Sequence, residues 1–120
     1  MDDAKLDAVR AELEREREQQ LAALQEFGAD PYDESVSGAV VHEPGFADTA
    51  QETEALSEAL AHIDAARTRL RQVDAALERI AEGAYGTCAN CGNEIPAERL
   101  EARPQSILCL NCAEKAQAGA

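Results

Sequence analysis

Four cysteines, Cys88, Cys91, Cys109 and Cys112, stand in the pattern C-x2-C-x17-C-x2-C, and this spacing constrains the chain more than any other feature. Each C-x-x-C lets two sulfurs of one tight turn face a common point, and Gly92 after the first pair suits such a knuckle. The segment between the pairs brings the second knuckle round to complete a tetrahedron. The pattern lies in the spacing window of four-cysteine zinc sites. Four sulfur ligands close the coordination sphere and leave no position for water or substrate, so the metal is expected to be structural. The competing reading, two disulfides or redox-active cysteine pairs, fits a reducing compartment poorly. Thiolates remain oxidisable, however, so oxidation can release the metal.

Residues 83–120 form the module around this site, with Tyr85, Ile95, Leu100, Ile107 and Leu108 as its expected small core. So short a segment cannot bury enough apolar surface to fold alone, and zinc supplies the missing free energy. The last residues, from Ala113 on, are expected to fray after a short helical turn.

Upstream, the pattern is helical. From Asp3 to Phe27 there is no Gly or Pro, and Leu6, Val9, Leu13, Leu21, Leu24 and Phe27 recur at helical spacing. The stripe is interrupted between Glu16 and Gln20, where polar residues occupy the seam. The alternating charges from Glu14 to Glu18 read as a solvated helix face. Gly28, Pro31, Gly38, Pro44 and Gly45 then punctuate a loop over 28–47. A second helix is expected from about Asp48 to Glu82, because Asp48 with Gln51, or Thr49 with Glu52, can form a capping box. Its stripe is Leu56, Leu60, Ile63, Leu70, Val73, Leu77 and Ile80, with Arg67 at one seam position. Two helices with one narrow apolar stripe each should pair as an antiparallel coiled-coil hairpin over residues 1–82. The fold class is therefore mainly α, a helical hairpin followed by a zinc-finger module. The second helix outreaches the first, and Val36, Val40 and Val41 of the loop are candidates to cover its excess length.

Composition agrees. Only two Tyr, two Phe and no Trp are present in 120 residues, so a large interdigitated core is hard to build. A formal charge of -13 disfavours binding to nucleic acid or anionic membranes and favours a protein partner with a basic surface. Residues 83–120 hold four acids and three bases with no basic stripe, which argues against a nucleic-acid-binding zinc finger. No apolar run is long enough to span a membrane and the N-terminus lacks the order of a secretory signal, so the chain reads as cytoplasmic. Neither a nucleophile with its base, nor a phosphate-cradling loop, nor a pair of catalytic carboxylates is evident, so an enzyme is not expected.

The stretch from Ala76 to Cys112 resembles the DksA/TraR family of bacterial RNA polymerase regulators. The resemblance rests on G-x-Y-G-x-C before the first knuckle, C-G-x-x-I between the knuckles, the run Arg99, Leu100, Glu101, Ala102, Arg103, Pro104, and L-C-x-x-C at the end. It implies a non-enzymatic regulator, here taken as a monomer, that binds RNA polymerase and inserts its hairpin into the secondary channel. In this family the tip carries D-x-x-D-x-A, whose acidic side chains approach the catalytic magnesium region. Gly45, Asp48 and Ala50 stand at those positions, so only the D-x-A half is present. Asp33, Glu34 or Glu43 are possible substitutes for the first carboxylate. At positions matching the family's guanosine tetraphosphate site stand Thr68, Gln72 and Ala113, so no response to that nucleotide is expected. The incomplete tip motivates an alternative, a zinc-stabilised coiled-coil adaptor for another protein.

Several residues carry two readings. Asp48 can be an N-cap, a tip carboxylate, or both. Phe27, Tyr32 and Phe46 are read as a local plug at the hairpin end, and His42 and His62 as solvent-facing. Arg99 and Arg103 either touch the polymerase or hold the zinc module against the coiled coil through Glu98, Glu101 or a helix end; their position beside the knuckles favours a structural role.

Overall fold

The computed structural model describes residues 2–32 and 50–118. The tip aspartate Asp48, Gly45, the capping boxes begun by Asp48 and Thr49, the acids Asp33, Glu34 and Glu43, the valines of the loop, His42 and Phe46 all lie outside the described residues. Four helices account for most of the rest: α1 (Asp3–Glu26), α2 (Ala50–Ala81), α3 (Ala97–Ala102) and α4 (Leu110–Ala118). The extended structure among the described residues is one antiparallel pairing, between Thr87 and Glu94.

Local chemistry sets the helix ends. The Asp2 carboxylate caps α1 by accepting the Lys5 backbone N–H at 2.7 Å. Both long helices stop at glycines in the left-handed region, Gly28 (φ 66°) and Gly83 (φ 75°). At each the next residue donates back five positions, Ala29 to the Leu24 carbonyl and Ala84 to the Arg79 carbonyl. The glycine itself donates back three, Gly28 to Gln25 and Gly83 to Ile80. This double bond is the Schellman arrangement, which satisfies carbonyls that the helix leaves open and needs a residue without Cβ strain at the turn.

The chain divides into two compact units, residues 17–71 and residues 1–16 with 72–120. In the first, Leu24, Ala29, Ile63, Ala66 and Leu70 are buried, with Leu21, Phe27, Leu56, Ala59 and Leu60 packed around them. Arg67 is buried in the same unit, only 6% exposed. Its Nε donates to the Asp30 carbonyl at 2.8 Å, so this cation on the apolar seam ties α2 to the turn that follows α1. Phe27 packs as expected of a plug, and its ring stacks on His62 with centroids 6.2 Å apart. His62 is thus exposed but not idle. Tyr32 is 55% exposed and receives a hydrogen bond from Arg17 through its hydroxyl rather than packing into the core.

In the second unit Leu13, Val73, Ala76 and Ile80 are buried, joined by Leu6, Val9, Leu77, Tyr85 and Ile107. Early residues of α1 therefore meet late residues of α2, and late residues of α1 meet earlier ones of α2, which makes the helix pair antiparallel. A further cluster, Cys88, Ile95, Leu100 and Cys112 with Tyr85, Leu108 and Cys109, forms the core of the cysteine module. Ile107 departs from the sequence expectation, since it packs on the helix pair instead of the module core. The C-terminal segment differs too. It forms the nine-residue α4 rather than a single fraying turn, and α4 begins inside the second knuckle, so the metal site anchors its first turn.

Candidate metal centre

The first knuckle is built by a tight hairpin. Ile95 donates to the Gly86 carbonyl and Cys88 to the Asn93 carbonyl, both at 2.8 Å, and Gly92 donates to the Cys88 carbonyl at 3.0 Å. Gly92 itself has φ 77°. The second knuckle is the start of α4, where Ala113 donates to the Cys109 carbonyl at 2.9 Å. A backbone bond from Ala89 to the Ile107 carbonyl, 2.8 Å, lies between the two knuckles and holds them together. Arg99 on α3 reinforces the second from the other side, its Nε donating to the Leu108 carbonyl at 3.0 Å. This bond lies within the module: its acceptor is a carbonyl beside the knuckle, not Glu98, Glu101 or a helix end, and it does not tie the module to the helix pair.

The consequence is that the ligand atoms of Cys88, Cys91, Cys109 and Cys112 all lie within 4.8 Å of one another. None is in a disulfide. The Cys91 and Cys109 sulfurs are 3.8 Å apart. Zinc–sulfur bonds of about 2.3 Å in a tetrahedron place sulfurs about 3.8 Å from each other, so this edge already has the metal-bound length. Asn90 donates from Nδ2 to the Cys112 sulfur at 3.4 Å, an outer contact of the kind that orients a ligating thiolate.

Two of the thiols, Cys88 and Cys112, are shifted in opposite directions. Cys88 is drawn down to about 6, first by the backbone N–H of Cys91 and further by those of Cys109 and Asn90, against the opposing effect of burial. Cys112 is pushed up to about 11: the Asn90 amide favours its thiolate, but hydrogen bonding with the Cys109, Cys88 and Cys91 thiols, together with burial, outweighs it. Four sulfurs this close cannot all carry charge unaided, and a divalent cation removes that conflict. The donor set fits one structural zinc ion, closed to substrate.

The other candidate residues fall elsewhere. Ala50 is the exposed first residue of α2. Thr68 is half-buried and contacts Arg71 through its hydroxyl at 3.2 Å, a local helix contact. Sequence reasoning missed two links that position the centre. The Tyr85 hydroxyl donates to the Pro104 carbonyl at 2.7 Å, and Arg79 Nη2 donates to the Thr87 carbonyl at 2.9 Å. Tyr85 belongs to the G-x-Y-G-x-C motif and Pro104 to the run that starts at Arg99, but nothing in their spacing states that they touch.

A helix pair followed by a closed four-cysteine module defines a C4 zinc-finger protein with a helical hairpin. Residues 83–118 match the family described as prokaryotic dksA/traR C4-type zinc finger. A Haemophilus influenzae protein named RNA polymerase-binding transcription factor DksA is 37% identical over 73 residues, 61% of this chain and 50% of that one. An uncharacterized Aquifex aeolicus protein is 45% identical over 65 residues, 54% of this chain and 43% of its own. The chain thus spans about half the length of the curated relatives it matches. Among solved structures, the transcription factor DksA2 of Pseudomonas aeruginosa superposes over 98% of this chain and 87% of its own, with a TM-score of 0.70 and 29% identity. Residues 83–118 thus carry the DksA/TraR-type C4 zinc-finger module, and the chain as a whole is similar in fold to DksA2 of P. aeruginosa.

Proposed function

We propose that this chain is a non-enzymatic transcription regulator that binds RNA polymerase, with Cys88, Cys91, Cys109 and Cys112 as ligands of one structural zinc and the α1–α2 end as the element that enters the secondary channel. The observation that carries this reading is the four-sulfur cluster at residues 83–118, set within a helical fold like that of the P. aeruginosa transcription factor DksA2. The H. influenzae relative is named for binding RNA polymerase, and the charge of -13 suits a partner whose contact surface is basic. The zinc module acts as an anchor for the helix pair and contributes no chemistry of its own. At the tip, Asp48 and Ala50 are the proposed contact residues, with Gly45 where the family's first carboxylate stands. A monomer working in the cytoplasm is consistent with this reading. No helix among the described residues is long and apolar enough to cross a membrane.

The missing carboxylate at Gly45 keeps one alternative in play, a zinc-stabilised adaptor for another protein. Affinity capture with purified core polymerase, repeated with residues 33–47 deleted, separates the two. The regulator reading expects micromolar or tighter binding by the full chain and loss of a transcription effect on deletion; no binding at micromolar concentrations leaves the adaptor. Asp48→Asn then isolates the charge, because Asn caps a helix about as well as Asp. If Asp48→Asn regulates transcription like the parent, Asp48 has no role at the active centre.

A further inference from the structure

Beyond α1 the chain is fixed residue by residue from Gly28 to Tyr32. Gly28 takes the left-handed turn, and Ala29 is buried and donates back to the Leu24 carbonyl. Asp30 is bonded on two sides. Its carbonyl accepts from Arg67 Nε of α2 at 2.8 Å, and its carboxylate accepts the Tyr32 backbone N–H at 2.9 Å. Pro31, between them, has a φ locked by its ring. Tyr32 is tied to α1 in turn, because Arg17 Nη2 donates to its hydroxyl at 3.1 Å. One arginine from each long helix therefore holds this stretch, and all of these residues lie in the unit of residues 17–71.

Neither arginine is placed as packing alone would place it. Arg67 stands on the seam between the buried aliphatics Ile63 and Leu70. Taking a guanidinium out of water costs free energy that an aliphatic side chain at the same position does not. Buried polar groups in a helix seam are best attested as devices that fix register. Here the acceptor is a backbone carbonyl beyond the end of α1, so the bond fixes where the chain leaves that helix as well as how the helices meet. The Arg17–Tyr32 bond points the same way. Tyr32 is 55% exposed, and an exposed hydrogen bond adds little to folding stability, so this contact bears on the direction of the chain more than on the core.

We propose that Arg67 and Arg17 are positioning residues for the α1–α2 end: acting through Asp30 and Tyr32, they fix the exit of the chain from α1 and so preorganise the tip for its partner. The proposal rests on the polymerase-binding reading above and adds to it side chains that touch no polymerase group. Ordering completed before binding does not weaken the encounter. A tip whose exit wanders is competent only part of the time, and the apparent dissociation constant rises by the inverse of the competent fraction. Saturation still brings every molecule into the bound geometry, so the maximal effect survives. Loss of a contact residue differs, because it lowers the effect of the bound molecule itself.

The test uses the zinc-loaded full chain with purified RNA polymerase holoenzyme. It measures the maximal effect on transcription from a promoter that the parent regulates, and the chain concentration that gives half of it. The variants are Arg67→Met, Arg17→Gln, Tyr32→Phe and the Arg17→Gln, Tyr32→Phe pair. Arg10→Gln is the control, removing one cation of α1 whose partner is Asp7. Zinc content and a thermal melt establish that each variant is fully folded at the assay temperature. Tyr32→Phe changes no charge and only an exposed hydroxyl, so it decides the matter should Arg67→Met not fold. The half-maximal concentration is expected to rise about tenfold for Arg67→Met, about threefold for Arg17→Gln and for Tyr32→Phe, and less than about 1.5-fold for the control. The maximal effect is expected to stay at the parent's level, and the pair to lose no more than its larger single, because both changes remove one bond. A merely structural role would leave the half-maximal concentration of a fully folded variant unmoved. An unmoved value in folded Arg67→Met or in Tyr32→Phe therefore overturns the proposal, as does a fall in the maximal effect or an additive loss in the pair. A parent that neither binds nor affects the polymerase removes the functional reading, and the proposal with it; an active parent with indifferent variants removes the proposal alone.

Discussion

The Tyr85 hydroxyl donates a 2.7 Å hydrogen bond to the carbonyl of Pro104, and the same ring packs with both the helix-pair cluster and the cluster around the cysteines. One side chain therefore couples the end of α2 to the far side of the zinc module. Burial first, and the Glu12 carboxylate second, push the Tyr85 phenol up to about 12. A raised folded-state value means that the unfolded chain releases the proton first as pH rises. The contribution of Tyr85 is complete below about pH 10 and is lost on the way to about 12. In a Tyr32→Phe background, phenolate absorbance should report the Tyr85 transition near that upper value, and Tyr85→Phe should flatten the stability loss across the window. Near neutral pH, Tyr85→Phe should cost about 1 kcal/mol in a denaturant melt, the usual worth of one neutral hydrogen bond.

Arg67 makes a different kind of link. Its buried guanidinium reaches the Asp30 carbonyl at 2.8 Å and so closes the turn after α1 onto α2. Replacing it with Met keeps apolar volume on the seam but removes this hydrogen bond. Arg67→Met should lower stability by about 2 kcal/mol, the scale for a hydrogen bond from a charged group. Arg67→Lys should recover only part, because a point charge at the end of a flexible stem does not reproduce the Nε geometry. Urea unfolding followed by circular dichroism checks both.

Gly92 holds φ 77° between the first two cysteines and the rest of the hairpin, in a place where a Cβ would meet nothing within 4 Å. Its substitution therefore tests backbone conformation without steric confusion. Gly92→Ala should cost about 1–2 kcal/mol, the penalty for a left-handed L-residue. Because folding of the module and metal binding are linked, this should appear as roughly tenfold weaker zinc affinity in a chelator competition, with Gly92→Asn closer to the parent.

Much of this architecture is legible in the sequence because it rests on periodicity and on chemistry that few residues supply. The two stripes ending before Gly28 and Gly83 name the helices, and the cysteine spacing names the metal. What escapes has physical causes. Ala66 and Ala76 are buried seam residues, but in Ala-rich helices an alanine carries no periodic signal. Arg67 looks like a break in the stripe until Asp30 is seen to receive it. Ile107 sits two residues before Cys109, yet its side chain packs with the helix-pair cluster while its carbonyl accepts from Ala89. The links from Tyr85 to Pro104 and from Arg99 to Leu108 are tertiary contacts to backbone carbonyls, which every residue possesses and no sequence pattern marks.

The central claim is that Cys88, Cys91, Cys109 and Cys112 act together on one metal ion, and zinc-edge X-ray absorption of the purified full chain tests it most directly. The account predicts one zinc per chain in an all-sulfur shell of four ligands at about 2.3 Å, with the ion lost and α3 and α4 destabilised when Cys109 is replaced by Ser. A shell containing nitrogen or oxygen, or a folded chain free of zinc with paired disulfides, would contradict it.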